Sequence, residues 1–181
     1  MTRIRILERE EMNEEQGRVY DEAKASGGPV GGPYTAYIRH PELMQRMQDL
    51  RNCLQGGPLS ARERQIAHLV IARHWGAKFP WFAQARASLA AGVEQHIIDA
   101  INARRDPGLD DPREQAAFEV TRELLADHGL SDATYATAEE RLGLEDFVAL
   151  VATVGQFSMT CCTTNAFDVS APDDAPTPLA D

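Results

Sequence analysis

The chain has 181 residues, 43% hydrophobic and 25% charged, proportions that suit one globular domain with a real core. Its 28 acidic and 18 basic residues leave a formal charge of −10, and such a surface repels phosphate backbones, so no nucleic-acid partner is expected. Three cysteines, Cys53, Cys161 and Cys162, make neither a disulfide framework nor a C-x-x-C pair, so reduced thiols are expected.

Apolar residues recur with a 3.6-residue period and seldom alternate with period 2, which predicts an all-α chain. Met1-Thr2-Arg3-Ile4-Arg5 lacks the apolar core and cleavage site of a secretory signal. The first helix is predicted over Glu14–Ala25, capped by Asn13 and stopped at Ser26-Gly27-Gly28. A glycine- and proline-rich loop, Gly27–Pro33, follows as either a lid or a turn-rich connection, and leads into Tyr34–Ile38. Pro41 suits the first position of a helix reaching Leu54, ended by Gly56-Gly57-Pro58. Ser60-Ala61-Arg62-Glu63 is a capping box heading a helix from Ser60 to Trp75. Further helices are predicted from Pro80 to Ala91, from Glu94 to Ala103, from Pro112 to near His128, from Asp132 to Leu142 and from Glu145 to about Asp168. Leu69–Ala72, read as the longest apolar run, falls far below the ~20 residues of a membrane span, so no membrane partner and a cytoplasmic setting are expected. Residues 1–169 are read as one domain and 170–181 as a flexible acidic tail, because Ser170–Pro178 is polar and proline-rich.

Four patches in order carry a resemblance. Ile71 through Ala85 (I-A-R-H-W-G-A-K-F-P-W-F-A-Q-A) is followed by Ala91-Gly92-Val93; Val154-Gly155-Gln156-Phe157 precedes Asn165-Ala166-Phe167; Gly32-Pro33-Tyr34 and His40-Pro41-Glu42-Leu43 stand upstream. Over residues 10–170 the chain resembles the carboxymuconolactone decarboxylase / alkylhydroperoxidase D family. The resemblance implies an all-α helical bundle of that type, a homo-oligomer (trimer or hexamer), a small-molecule substrate, and a pocket between the Ser60–Trp75 and Pro80–Ala91 helices. No His/Asp/Glu cluster has metal-ligand spacing, so no metal is expected, and no cofactor is expected.

The family's redox branch carries E-x11-C-x2-C-x3-H, and that spacing falls here on Gln65, Ala77, Pro80 and Gln84. Without thiols at Ala77 and Pro80, disulfide exchange through this motif has no chemistry to run on. The non-redox branch places a Glu at Pro80 and a His at Gln84, an acid and a base for proton transfer. Neither Pro80 nor the two glutamines titrate.

His68 is the ionisable residue that could take over, three residues beyond Gln65 on the same helix. It is either a proton shuttle in the old pocket or a partly buried histidine bonded to a carbonyl or a neighbouring subunit. Gln65 and Gln84 either hold a substrate carboxylate or satisfy each other. Trp81 is placed to line the cavity or the core, Tyr34 and Tyr37 to close over substrate or pack at an interface, and His74 to bind substrate or cap its helix. Cys161 and Cys162 have no electropositive neighbour in sequence, so both are read as packing residues whose threonine neighbours bond back to i−4 carbonyls. The expected function is a cofactor-free lyase, decarboxylase or isomerase acting on a small carboxylated or lactone-like metabolite. The alternatives are an inactive family member binding a small molecule or partner protein, and an alkylhydroperoxidase-type antioxidant enzyme, which the missing thiols oppose.

Overall fold

The computed structural model describes residues 2–172 and 177–180. Among them are one 3-10 turn, Arg9–Glu11, and nine α-helices: α1 Glu14–Ala25, α2 Tyr34–Tyr37, α3 Pro41–Gln55, α4 Ala61–His74, α5 Lys78–Ala90, α6 Gln95–Asn102, α7 Pro112–Asp127, α8 Asp132–Leu142 and α9 Leu144–Ala166. No strand occurs among the described residues, as the periodicity predicts.

α4 is the axis of the bundle and packs against α5, α6, α7 and α9. Its seven consecutive residues Ile66–Ala72 are all buried, the pattern of a helix enclosed on every side rather than striped. What fixes its start is polar. Ser60 Oγ accepts from the Glu63 amide at 3.1 Å, and the Glu63 carboxylate accepts from the Ser60 amide at 2.8 Å. The same carboxylate accepts from Arg113 Nε on α7 at 2.6 Å, and Arg113 reaches on to Asp146 on α9. Arg62 bonds Glu114 at 2.6 Å and Glu94 at 3.0 Å. One turn of α4 is thereby tied to three other helices.

The remaining helices start where side chains can satisfy their first amides. Asn13 and Ser131 cap α1 and α8, and Asp111 caps α7 ahead of Pro112. His40 Nδ1 accepts from the Leu43 amide at 3.2 Å, which gives that histidine a capping role. α5 begins two residues before Pro80, so the proline sits in the first turn, where its missing N–H leaves no bond unmade.

Two sequence expectations change. Phe147–Ala152 is a longer apolar run than Leu69–Ala72, and α9 is long and apolar enough to cross a membrane by length and composition alone. It packs instead against α3, α4, α5, α7 and α8, with Phe147, Leu150, Val154 and Phe157 buried in the fold. The segment read as a flexible tail also ends differently. Residues 173–176 and 181 lie outside the described residues, but 177–180 return to the bundle. Trp81 Nε1 donates to the Thr177 carbonyl at 2.8 Å, and the Asn102 amide brackets the chain by donating to the Pro178 carbonyl and accepting from the Ala180 amide, both at 2.9 Å. Leu179 packs on the main core. Composition alone predicted disorder; an apolar residue flanked by backbone groups with waiting partners overrides it.

Candidate functional site

A cavity of about 350 Å³ lies between α3, α4, α5, α9 and the 29–34 loop. Helical spacing decides which side chains reach it. On α4, Arg64 and His68 stand one turn apart and both face it; on α5, Pro80 and Gln84 do the same. The neighbouring stripe of α5, Ala77, Trp81, Ala85 and Ser88, turns into the core instead. α9 contributes Thr153, Gln156, Phe157 and Thr160, and α3 contributes Arg51, Leu54 and Gln55.

The loop that closes one end is held in place. Gln48 donates to the Pro29 carbonyl at 3.2 Å and Thr35 Oγ1 to the Gly32 carbonyl at 2.7 Å. Gly32 has φ +61°, and a Cβ there would collide with the Phe79 ring, so only glycine lets the loop lie against that wall of the cavity.

His68 is 8% exposed and its ring stacks on Phe157 with centroids 4.2 Å apart. The Gln84 side chain is its hydrogen-bond partner, while Nδ1 is buried without one among the described residues. Burial first, then the positive charge of Arg64, pulls the imidazole pKa down to about 3 against the smaller upward pull of Gln84; Arg51 adds to the lowering. The ring is therefore neutral at neutral pH. Arg64 donates to the Leu59 carbonyl at 3.0 Å, and burial followed by repulsion from Arg51 lowers its own pKa. Arg51 bonds Asn52 Oδ1 at 3.1 Å. Among the described residues neither guanidinium has a carboxylate partner, and no Asp or Glu lines the cavity. In a chain of charge −10, the two arginines beside a neutral imidazole make this cavity locally electropositive.

Residues 41–123 match the profile of the carboxymuconolactone decarboxylase family. The match spans a little under half of the chain. The matched segment runs from α3 to α7 and contains His68, Gln84 and both pocket arginines. No functionally curated protein matches the chain. Solved structures share its fold at low identity. An uncharacterised peroxidase-related protein from Silicibacter sp. TM1040 is 15% identical with a TM-score of 0.77, over 99% of this chain and 96% of that one. A second peroxidase-related protein, described as an alkylhydroperoxidase AhpD core, from Ralstonia eutropha JMP134, is 16% identical with a TM-score of 0.76, over 98% and 97%. A debrominase in complex with 2,3,4-tribromopyrrole is 15% identical with a TM-score of 0.73, over 97% and 94%.

Of the residues singled out from sequence, the cavity brings together His68, Gln84 and Tyr34. Gln65 is turned aside and accepts from Ser88 Oγ at 3.5 Å, so the two glutamines do not satisfy each other: Gln84 serves His68. Trp81 is 1% exposed in the core and spends its N–H on Thr177. Tyr37 is buried beside Tyr34 in an edge-to-face pair, with its hydroxyl 3.0 Å from Thr163 Oγ1. His74 lies on the opposite side of α4, in a separate cavity of about 340 Å³ whose rim carries Arg104, Arg105 and Arg122. Gln65, Trp81, Tyr37 and His74 are thus outside the cavity.

Sequence reading missed Arg51 and Arg64. One signal was present: neither has an Asp or Glu three or four residues away, whereas Arg18, Arg46 and Arg122 do. Arg3, Arg9, Arg62, Arg73, Arg86, Arg104 and Arg105 share that lack, so the signal does not select the pair. Cys161 is buried and its thiol pKa is pushed up by burial, Cys53 and Cys162 are exposed, and no thiol lines the cavity. Among the described residues no group of three or more His, Cys, Asp or Glu side chains is placed to hold a metal ion.

Proposed function

We propose that the Arg51–Arg64–His68 cavity binds a small carboxylated or lactone-like metabolite and moves a proton on it without a cofactor, as a lyase, decarboxylase or isomerase. The observation that carries this reading is the convergence of two unneutralised guanidiniums on a buried neutral imidazole, with no acid in the lining. A carboxylate held between Arg51 and Arg64 would cancel their repulsion, which lowers His68 basicity second to burial, so the substrate itself would recover part of that basicity. His68 would then take a proton from the carbon next to the carboxylate or carbonyl and return it elsewhere, while Gln84 fixes the ring and Phe157 covers its face. A cavity of about 350 Å³ suits a one-ring molecule. The cytoplasm, which keeps thiols reduced, is the setting proposed for it.

The test is a thermal-shift screen with small carboxylates and lactones, beginning with benzoate, followed by product detection for each stabilising compound. His68→Ala is expected to abolish turnover while assembly and melting temperature survive. Turnover unchanged in His68→Ala would remove the proposed base.

A second reading follows from the same imidazole. A pKa held at about 3 favours a family member that binds the carboxylate and performs no chemistry. It predicts stabilisation by the compound, following mass action, with no product over time. A thiol peroxidase reading has no support from the cavity lining, and a peroxide-reduction assay is expected to give no turnover.

A further inference from the structure

The outward face of α9 carries a pattern that the fold of a single chain does not use. From Val148 to Cys162 its exposed residues are Val148, Val151, Ala152, Gly155, Met159 and Cys162, without one polar side chain. Val148 is 60% exposed and Leu144, at the helix start, 58%. No charged residue occurs from Phe147 to Phe167 in a chain of net charge −10. At the C-terminal end the stripe continues onto exposed Phe167 and onto Trp75, whose carbonyl accepts from Asn165 at 2.8 Å; at the other end stands exposed Tyr135, packed edge-on against Phe147. A contiguous apolar strip of this length is unusual on a monomer.

The spacing says what fits it. Leu144, Val148, Val151, Gly155, Met159, Cys162 and Ala166 are separated by 4, 3, 4, 4, 3 and 4 residues, which reads the same in both directions from Gly155. An antiparallel copy of α9 laid across this face would set Gly155 on Gly155, Val151 on Met159, Val148 on Cys162 and Leu144 on Ala166 at the same time. Gly155 needs such an explanation. A Cβ there meets nothing within 4 Å inside the chain, and a glycine in a helix interior is destabilising relative to alanine. A second helix crossing at that point is the reason to omit the side chain.

We infer that α9 pairs with α9 of a second copy of this chain across a two-fold axis at Gly155. The 23-residue helix is about 34 Å long, and a strip of helix width along it, with the aromatic ends, removes on the order of 1,000 Å² across two copies. That reaches the lower edge of stable interfaces. The uncharged strip also avoids placing the acidic surfaces of two copies against each other. Both helix ends benefit, because antiparallel dipoles oppose. A hexamer contains such two-fold axes and a trimer alone does not. Gln156 and Phe157 face the cavity from the same helix, so the pairing would brace one wall of the site.

The experiment uses the full chain at micromolar concentration in sedimentation velocity, together with disulfide trapping. Wild type is expected to run as an even-numbered assembly. Gly155→Leu, whose new side chain points into open space in the single chain, is expected to weaken association at least roughly tenfold with helicity unchanged. In a Cys53→Ser background, Val148→Cys treated with diamide, which takes the two thiol hydrogens, is expected to give a covalent dimer through Cys162 of the second copy. Without Val148→Cys no dimer should form, because the two Cys162 residues would stand about 21 Å apart along the axis. A wild-type monomer, whether or not it floats with phosphatidylcholine vesicles, overturns the inference. So does a Val148→Cys assembly that stays untrapped, since association would then use another face.

Discussion

Arg64 and His68 share one face of α4, and their proximity sets the chemistry of the cavity. A buried imidazole beside a guanidinium stays neutral, while that guanidinium, without a carboxylate of its own, waits for one. Arg64→Gln and Arg51→Gln are each expected to weaken carboxylate binding by about 10–100-fold, the range of a charged hydrogen bond worth roughly 1.5–3 kcal/mol, measured by calorimetry with benzoate or whichever carboxylate the screen yields. Arg64→Gln should also raise the His68 pKa, read by NMR titration of the ring. The pH dependence of stability has a definite sign. The unfolded chain takes a proton near pH 6.5, whereas the folded His68 takes one only near about 3. Its contribution is therefore full above 6.5 and declines as pH falls toward 3, with a limiting slope of about 1.4 kcal/mol per pH unit. Denaturation midpoints of wild type should fall between pH 6.5 and 5.5, and His68→Gln should flatten that decline. An equal slope in both proteins would mean that another group carries the proton.

Among the helices, α4 is positioned by its first turn. Glu63 caps the helix and bridges to Arg113, which also holds Asp146 on α9. Glu63→Ala removes both functions and is expected to cost about 2–3 kcal/mol in urea unfolding, the sum of a lost cap and a partly exposed ion pair. A loss below about 0.5 kcal/mol would leave Arg62 and Glu114 as the anchor. α5 shows how neighbouring stripes of one helix divide roles: Pro80 and Gln84 face the cavity, while Trp81 fastens the last described residues, 177–180. Trp81→Phe keeps the apolar bulk and loses the donor. Amide exchange at 177–180 should accelerate, with about 1 kcal/mol lost from global stability.

For the whole molecule, the charge of −10 and the uncharged face of α9 pull in opposite directions. Copies repel at long range and adhere at the strip, so added salt should strengthen association by screening. The melting temperature of wild type should rise with protein concentration, and that of Gly155→Leu should not. A concentration-independent wild type would place the strip outside any assembly.

Much of the helical arrangement was legible in the chain itself. Caps at Asn13, Ser60 and Ser131, the proline at 112 and the glycines that end or join helices mark the elements, because local hydrogen bonding and backbone freedom depend on near neighbours. The family resemblance was legible from the phrase around His74–Gln84, and His68 stood out as an ionisable residue among non-titrating ones. What the sequence could not supply was rotation and distance. Whether Gln65 or Arg64 faces the cavity turns on about 100° of helix, and Arg51 shares the cavity with His68 only because α3 packs on α9. The polar composition after Ser170 pointed to a free tail, and only the indole N–H of Trp81 and the amide of Asn102 reveal that its far end is held. Local chemistry wrote the helices; the electrostatics of the cavity arises from side chains far apart in sequence, and packing alone brings them together.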